Sequence, residues 1–204
     1  MRAAVAVPLL VSLAASPADS QLARPPVTET AVFAGGCFWG VDAVFKHVAG
    51  VVRVVSGYSG GGAATASYGL VSTGTTGHAE SVEVTYDPAH VSYGALLRVF
   101  FTVAHDPTEL NRQGPDEGTQ YRSAVFYAGD AQRRAALAYI DELQRDHVFS
   151  RPVVTQVVPL VRFYPAEEHH QNYLARHPDQ PYIVYNDLPK LALLKQRLPE
   201  LYRP

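Results

Sequence analysis

The chain has one cysteine, one tryptophan and one methionine in 204 residues. A single cysteine excludes a disulfide within the chain and any cysteine-built metal framework. Charge is sparse as well. Only 18% of residues are charged, and 17 Lys and Arg against 19 Asp and Glu leave a formal net charge of −2. That balance gives no electrostatic footprint for nucleic acid or an anionic membrane. There is no block of like charges, no internal repeat and no low-complexity tract beyond the first residues. What remains, 47% hydrophobic residues in a chain of this length, fits one globular domain whose core needs no staples.

The N-terminus departs from this average. Met1-Arg2 precedes an apolar run from Ala3 to Ala15, then Ala18-Asp19-Ser20. A positive start, a short apolar run and a small-residue cleavage site match a secretory leader. The run is too short to span a bilayer. A membrane anchor or a short N-terminal helix is the alternative. The expected division is a signal peptide at 1–20, a linker at 21–27 and a folded domain at 28–204. Export, to a bacterial periplasm, follows as an expectation. Free thiols in oxidising compartments tend to be oxidised. A cysteine kept there points to oxidation as part of its work, or else to an inert buried residue.

Periodicity gives the order of elements. Thr28 to Gly35 reads as an apolar strand ending in two glycines. Val41, Val44, Phe45 and Val48 mark a helical stripe, so Cys37 falls where a strand hands over to a helix. Val51 to Tyr58 reads as a strand, Ala63 to Gly77 as loop. Val82, Val84 and Tyr86 alternate with polar residues as a half-buried strand does. Ser92 is placed to cap a helix carrying Leu96, Leu97, Phe100 and Phe101. His105 to Gln120 is a long polar loop, a type that is usually functional or disordered. Ser123 to Ala128 is a strand, and Asp130 caps a helix through Leu137, Ile140 and Leu143. A strand at Val153 to Leu160 and helices near 166–175 and 187–198 complete the reading. The β-α-β-β-α-β order predicts an α+β, two-layer, ferredoxin-like core. Its sheet is mixed and mostly antiparallel, with extra C-terminal helices.

The chemistry centres on Gly36-Cys37-Phe38-Trp39-Gly40. A free thiol titrates near ~8.5, and a helix N-terminus favours its anion. Cys37 therefore reads as a nucleophile at an apolar pocket, with a small core residue as the alternative. The flanking glycines are expected to leave room for a substrate. Glu80 shares a strand face with Val82 and Val84. On an apolar face its pKa rises and it becomes a proton donor; at a strand edge it faces water. Tyr68 and Tyr121 offer uncharged hydrogen bonds to a developing anion, or pack. Asp116 orients a ligand amide or caps a turn. Glu167-Glu168-His169-His170 resembles a metal cluster, but adjacent histidines on a helix do not face one site, and no metal is expected. His105-Asp106 with Cys37 leaves a cysteine hydrolase or acyltransferase open.

Taken together, the motifs resemble peptide methionine sulfoxide reductase A, from about Val32 to about Tyr173. They are Gly-Cys-Phe-Trp-Gly at 36–40, Gly57-Tyr58, Gly-His-Ala-Glu at 77–80 and Tyr86-Asp87-Pro88. Further along come His105 to Thr108, Asn111 to Gly114, Gly118 to Ser123, and Ala166-Glu167 with His170 and Tyr173. The resemblance implies a nucleophile at Cys37, a proton donor at Glu80 and hydrogen bonds from Tyr68 and Tyr121 to the sulfoxide oxygen. It implies pocket walls at Phe38 and Trp39, a substrate contact at Asp116, and Tyr173 in the same pocket. The S epimer of methionine sulfoxide, free or in proteins, is the implied substrate. No bound cofactor is implied, and a monomer is expected. Many relatives carry further cysteines near the C-terminus; none occurs here. A sulfenic acid on Cys37 would then need an external thiol, from a thioredoxin-like or glutaredoxin-like protein or a small molecule. A module that binds oxidised methionine without turnover is the remaining alternative. N-terminal sequencing of exported protein is expected to begin near Gln21; material still beginning at Met1 overturns the leader assignment.

Overall fold

The computed structural model describes Met1 and residues 27–204. The leader assigned to 1–20 and nearly all of the linker lie outside the described residues. In chain order the elements are β1 (Glu29–Ala34), α1 (Phe38–Lys46), β2 (Val51–Ser59), α2 (Tyr68–Val71), β3 (Ala79–Tyr86) and α3 (Tyr93–Val99). There follow β4 (Arg112–Gln113), β5 (Asp116–Glu117), β6 (Ala124–Tyr127), α4 (Asp130–Arg145), β7 (Gln156–Pro159), β8 (Phe163–Pro165), α5 (Tyr173–Arg176) and α6 (Leu188–Arg197).

Six strands form one sheet in the order β7-β6-β1-β3-β2-β8. The inner four, β6-β1-β3-β2, pair antiparallel, as the β-α-β-β-α-β connection demands. Among the described residues only β6 and β7 pair parallel. The sheet is thus mixed and mostly antiparallel, and the α+β class stands. Alternation sorts β1 to its two faces: Ala31 and Phe33 enter the main core, Val32 and Ala34 a smaller cluster with Ala124 and Phe126. Phe33 sits at the centre of the main core. Its ring stacks on Phe45 of α1 at 5.2 Å and on Phe100 at 4.9 Å between centroids.

Several local expectations change. The loop at 63–77 contains a 3₁₀ turn (Ala63–Thr65) and α2. The loop at 105–120 contains the β4-β5 hairpin. Gly129, not Asp130, is the N-cap of α4, and Leu137 on that helix is exposed. The helix expected over 166–175 does not form. The Gln171 side chain accepts from the Ser56 N–H at 3.0 Å and donates to the Ser56 and Ala166 carbonyls. These bonds tie the segment to β2 as an extra strand would. Asn172 then takes φ 54°, which a continuous helix forbids. Only a 3₁₀ turn (Glu168–His170) and α5 remain.

The C-terminal segment closes back on α1. After α6, Val48 and Tyr202 form an isolated bridge, and the Ala49 N–H donates to the Leu201 carbonyl at 2.7 Å. Among the described residues no helix is long and apolar enough to cross a membrane. The packing around Phe33 predicts the stability ranking. Phe33→Ala is expected to lose about 3–5 kcal/mol, whereas Val161→Ala, at a residue 92% exposed, should stay within about 0.5 kcal/mol. Denaturant unfolding of both variants reads the difference.

Candidate functional site

The strand-to-helix handover of β1 into α1 builds the site. Gly36 takes φ +88°, a turn that a side chain disfavours, and a Cβ there would lie 2.6 Å from Gln113. A Cβ on Gly40 would lie 2.1 Å from Asp187 Oδ1. The flanking glycines therefore admit two neighbouring segments rather than leaving room for a substrate. Cys37 is the N-cap of α1, yet its side chain caps nothing. It is buried.

Burial reverses one expectation. The Cys37 thiol is pushed well above its ordinary pKa, first by desolvation and then by the nearby Glu80 and Asp187 carboxyls. The Trp39 backbone amide at the helix start and the Lys190 ammonium pull the other way and are outweighed. The sulfur at rest is a neutral thiol, not the helix-stabilised anion expected from its position alone.

Glu80 lies near the start of β3, opposite Tyr58 of β2, on the face shared by Val82 and Val84. It is almost fully buried. Its Oε2 accepts a hydrogen bond from the Phe38 N–H at 3.0 Å. That contact favours the anion, but desolvation exceeds it and raises the pKa from 4.5 to about 8. The edge-facing alternative for Glu80 does not apply.

One cavity of about 200 Å³ is lined by Cys37, Phe38, Trp39, Tyr68, Glu80, Asp116, Tyr121 and Tyr182. Seven of the eight residues singled out from sequence thus meet in one place. Tyr68 opens α2, and Glu167 fixes that turn: it accepts from the Tyr68 N–H at 2.9 Å and from the Tyr58 hydroxyl at 2.8 Å. Tyr121 ends a 3₁₀ turn (Thr119–Tyr121). Burial raises the pKa of both phenols, so both are neutral donors at neutral pH. Asp116 on β5 accepts a hydrogen bond from the Tyr182 hydroxyl. Tyr173, the eighth, does not line the cavity; it backs it. Its ring stacks on Trp39 at 3.6 Å and 5°.

Two residues were not assigned to the site from sequence. His170 is buried, faces Phe38, Trp39 and Tyr68, and its Nδ1 accepts from Trp39 Nε1–H at 3.3 Å. Its sequence neighbours suggest only a metal ligand, although it belongs to the motif set. Tyr182 precedes a π-helical turn (Ile183–Asp187) and carried no local signal. Among the described residues no group of three or more His, Cys, Asp or Glu is arranged to hold a metal ion.

His105 is not paired with Cys37. Its Nδ1–H donates to the Phe100 carbonyl at 2.9 Å, so Nε2 accepts from the Ser123 hydroxyl at 2.6 Å. Burial lowers its pKa to about 4. Asp106 instead accepts from Thr108 and Arg151. No histidine lines either cavity that Cys37 borders.

Relatives share this arrangement's sequence and fold. The family model for peptide methionine sulfoxide reductase matches residues 29–200. The chain is 58% identical over 177 residues to peptide methionine sulfoxide reductase MsrA 2 of Mesorhizobium japonicum, covering 87% of this chain and 91% of that one. It is 54% identical over 170 residues to MsrA 2 of Synechocystis sp., covering 83% and 79%. Reduced Mxr1 of Saccharomyces cerevisiae superposes with a TM-score of 0.69 at 34% identity, over 75% of this chain and 87% of that one. Methionine sulfoxide reductase A of Corynebacterium diphtheriae gives 0.65 at 37%, over 76% and 77%. With a cavity that sets one buried thiol beside a buried carboxylic acid, and with these relatives, the chain belongs to the peptide methionine sulfoxide reductase family.

Proposed function

We propose that this enzyme reduces the S epimer of methionine sulfoxide, free or protein-bound, through a sulfenic acid on Cys37 that an external thiol recycles. The observation that carries the reading is the pairing of a neutral Cys37 thiol and a protonated Glu80 at one cavity.

A sulfoxide has an electrophilic sulfur and a basic oxygen. Cys37 Sγ attacks the sulfur. Two protons convert the oxygen to water, one from Glu80 and one from the thiol as it bonds. Water then attacks the Cys37 sulfur. This releases methionine, leaves Cys37 as sulfenic acid and returns a proton to Glu80. One oxygen has moved from substrate to enzyme. Tyr68 and Tyr121 steady the oxygen by neutral hydrogen bonds, which avoid burying a further charge. Phe38 and Trp39 form the apolar wall for the substrate methyl group, and Asp116 accepts from the substrate backbone amide. A sulfur that must present its methyl, oxygen and chain to three different walls selects one epimer. Tyr173 acts through Trp39 as a positioning residue. The N-terminal sequence supports export to a periplasm, and a monomer suffices because every group named belongs to one chain.

Turnover of separated epimers, followed by mass spectrometry of Cys37, tests the reading. The S epimer should yield methionine and one added oxygen on the enzyme. Loss of epimer preference, or methionine without a modified Cys37, overturns it. Glu80→Gln should lower the rate by about 10²–10⁴-fold while substrate still binds, which separates an enzyme from a binding module. Because the acid acts when protonated, activity of the unaltered enzyme should fall as pH rises through about 8.

The same group predicts a stability effect. Its folded pKa is raised, so the folded state holds the proton between about 4.5 and 8 while the unfolded state has lost it. Stability is full below the unfolded value and declines as pH rises through that window. Glu80→Gln removes the decline. Denaturant unfolding should find the variant equal to the parent near pH 4 and more stable by about 3 kcal/mol at pH 7.

A further inference from the structure

Cys37 borders two cavities, and the reaction above uses one. The second, about 210 Å³, is lined by Gln113, Gly114, Asp116, Tyr182, Asn186 and Lys190, among others, with Cys37. Asp116 and Tyr182 line both cavities, and the hydrogen bond between them lies in their shared wall. Glu80 lines only the first. Tyr185, 79% exposed, marks the outer rim of the second.

We propose that this second cavity is the binding site for the reductant, a small thiol bearing a carboxylate, which Lys190 holds. The inference rests on the sulfenic acid of the preceding reading. Position supports it. The cavity borders Cys37 but not Glu80, so a ligand held there reaches the nucleophile from beside the substrate pocket. Size supports it too. A volume of 210 Å³ holds about seven water-sized groups, the scale of a thiol amino acid. Charge completes the match. Gln113 is a neutral amide already tied to the Asp106 backbone N–H and carbonyl, both at 3.0 Å. Lys190 is the cation in the wall. It is mostly buried, and among the described residues only Asp187 Oδ1 at 3.2 Å pairs with it, leaving donors for a ligand. Asp116, already accepting from Tyr182, is left to accept an ammonium or amide of the same ligand.

The step balances. The thiol, as its anion, bonds to the Cys37 sulfur, and the S–O bond breaks. Hydroxide leaves as water with the proton of Glu80, and a mixed disulfide remains. A second thiol attacks it, restores the Cys37 thiol and releases a disulfide. Two thiols are oxidised and one sulfenic acid is reduced.

The test uses the full enzyme oxidised with one equivalent of methionine sulfoxide and, separately, with hydrogen peroxide. Mass spectrometry follows the mixed disulfide formed with 3-mercaptopropionate, 2-mercaptoethanol and cysteamine, each rate corrected for thiolate fraction. The anionic thiol should exceed the neutral one by about tenfold, the low end for a hydrogen bond to a charged group. Lys190→Gln should bring the ratio to about one, and Lys190→Arg should keep it. Asn186→Trp, which fills the cavity, should slow all three thiols. A ratio near one in the parent, or a preference that survives Lys190→Gln, overturns the site. So does a thioredoxin-type protein that reduces Cys37 while none of the small thiols does. If sulfoxide forms no sulfenic acid, the functional reading fails, and the peroxide-oxidised sample still decides the cavity.

Discussion

The site depends on one imbalance: burial of the Glu80 carboxyl outweighs the hydrogen bond from the Phe38 N–H. An amide donor alone would favour the anion and leave an ordinary carboxylate. Enclosure beneath α1, with Asp116 nearby, keeps the proton on. A charged Glu80 would repel a partly negative sulfoxide oxygen, whereas the neutral acid can donate to it. The sulfur rests protonated chiefly because it too is buried. Two neutral groups are cheaper to bury than two anions, and charge appears only when the substrate oxygen is there to receive a proton.

How far the sequence foretold this varies with how local the cause is. The inner strands and α1 were legible because alternation and helical spacing act over a few residues. The neutral state of Glu80 was legible as one of two options, since it shares a face with Val82 and Val84. The segment after 160 was not. β8 spans three residues, too few for a period. The helix expected over 166–175 fails because Gln171 bonds to Ser56, which is 115 positions away. Tyr182 reaches Asp116 across 66 positions. Each of these depends on a partner that no local pattern announces. The direction of the Cys37 shift was missed for a related reason. Position at a helix start is visible in sequence, whereas the depth of burial that overrides it is not.

The supporting shell is built from one-to-one ties. Glu167 holds Tyr58 and the start of α2 together. Lys46 links Asp42 at 2.7 Å to Asn172 at 2.6 Å, and the αL turn at Asn172 sets the Tyr173 ring on Trp39. Burial raises the Asp42 pKa to about 6 despite that lysine. Groups that never touch the cavity thus fix the angles of those that do, the arrangement required when reacting atoms must be held to a fraction of an ångström.

The fastening of residues 198–203 onto the end of α1 has a kinetic meaning. The Val48–Tyr202 bridge and the Ala49–Leu201 bond lace that segment down, and it carries no cysteine that could act as an internal reductant. Under the proposed cycle, an oxidised Cys37 would wait on encounters, not on chain motion. The enzyme's pace would then follow the supply of reducing visitors, which would make repair a direct gauge of the surroundings' redox wealth.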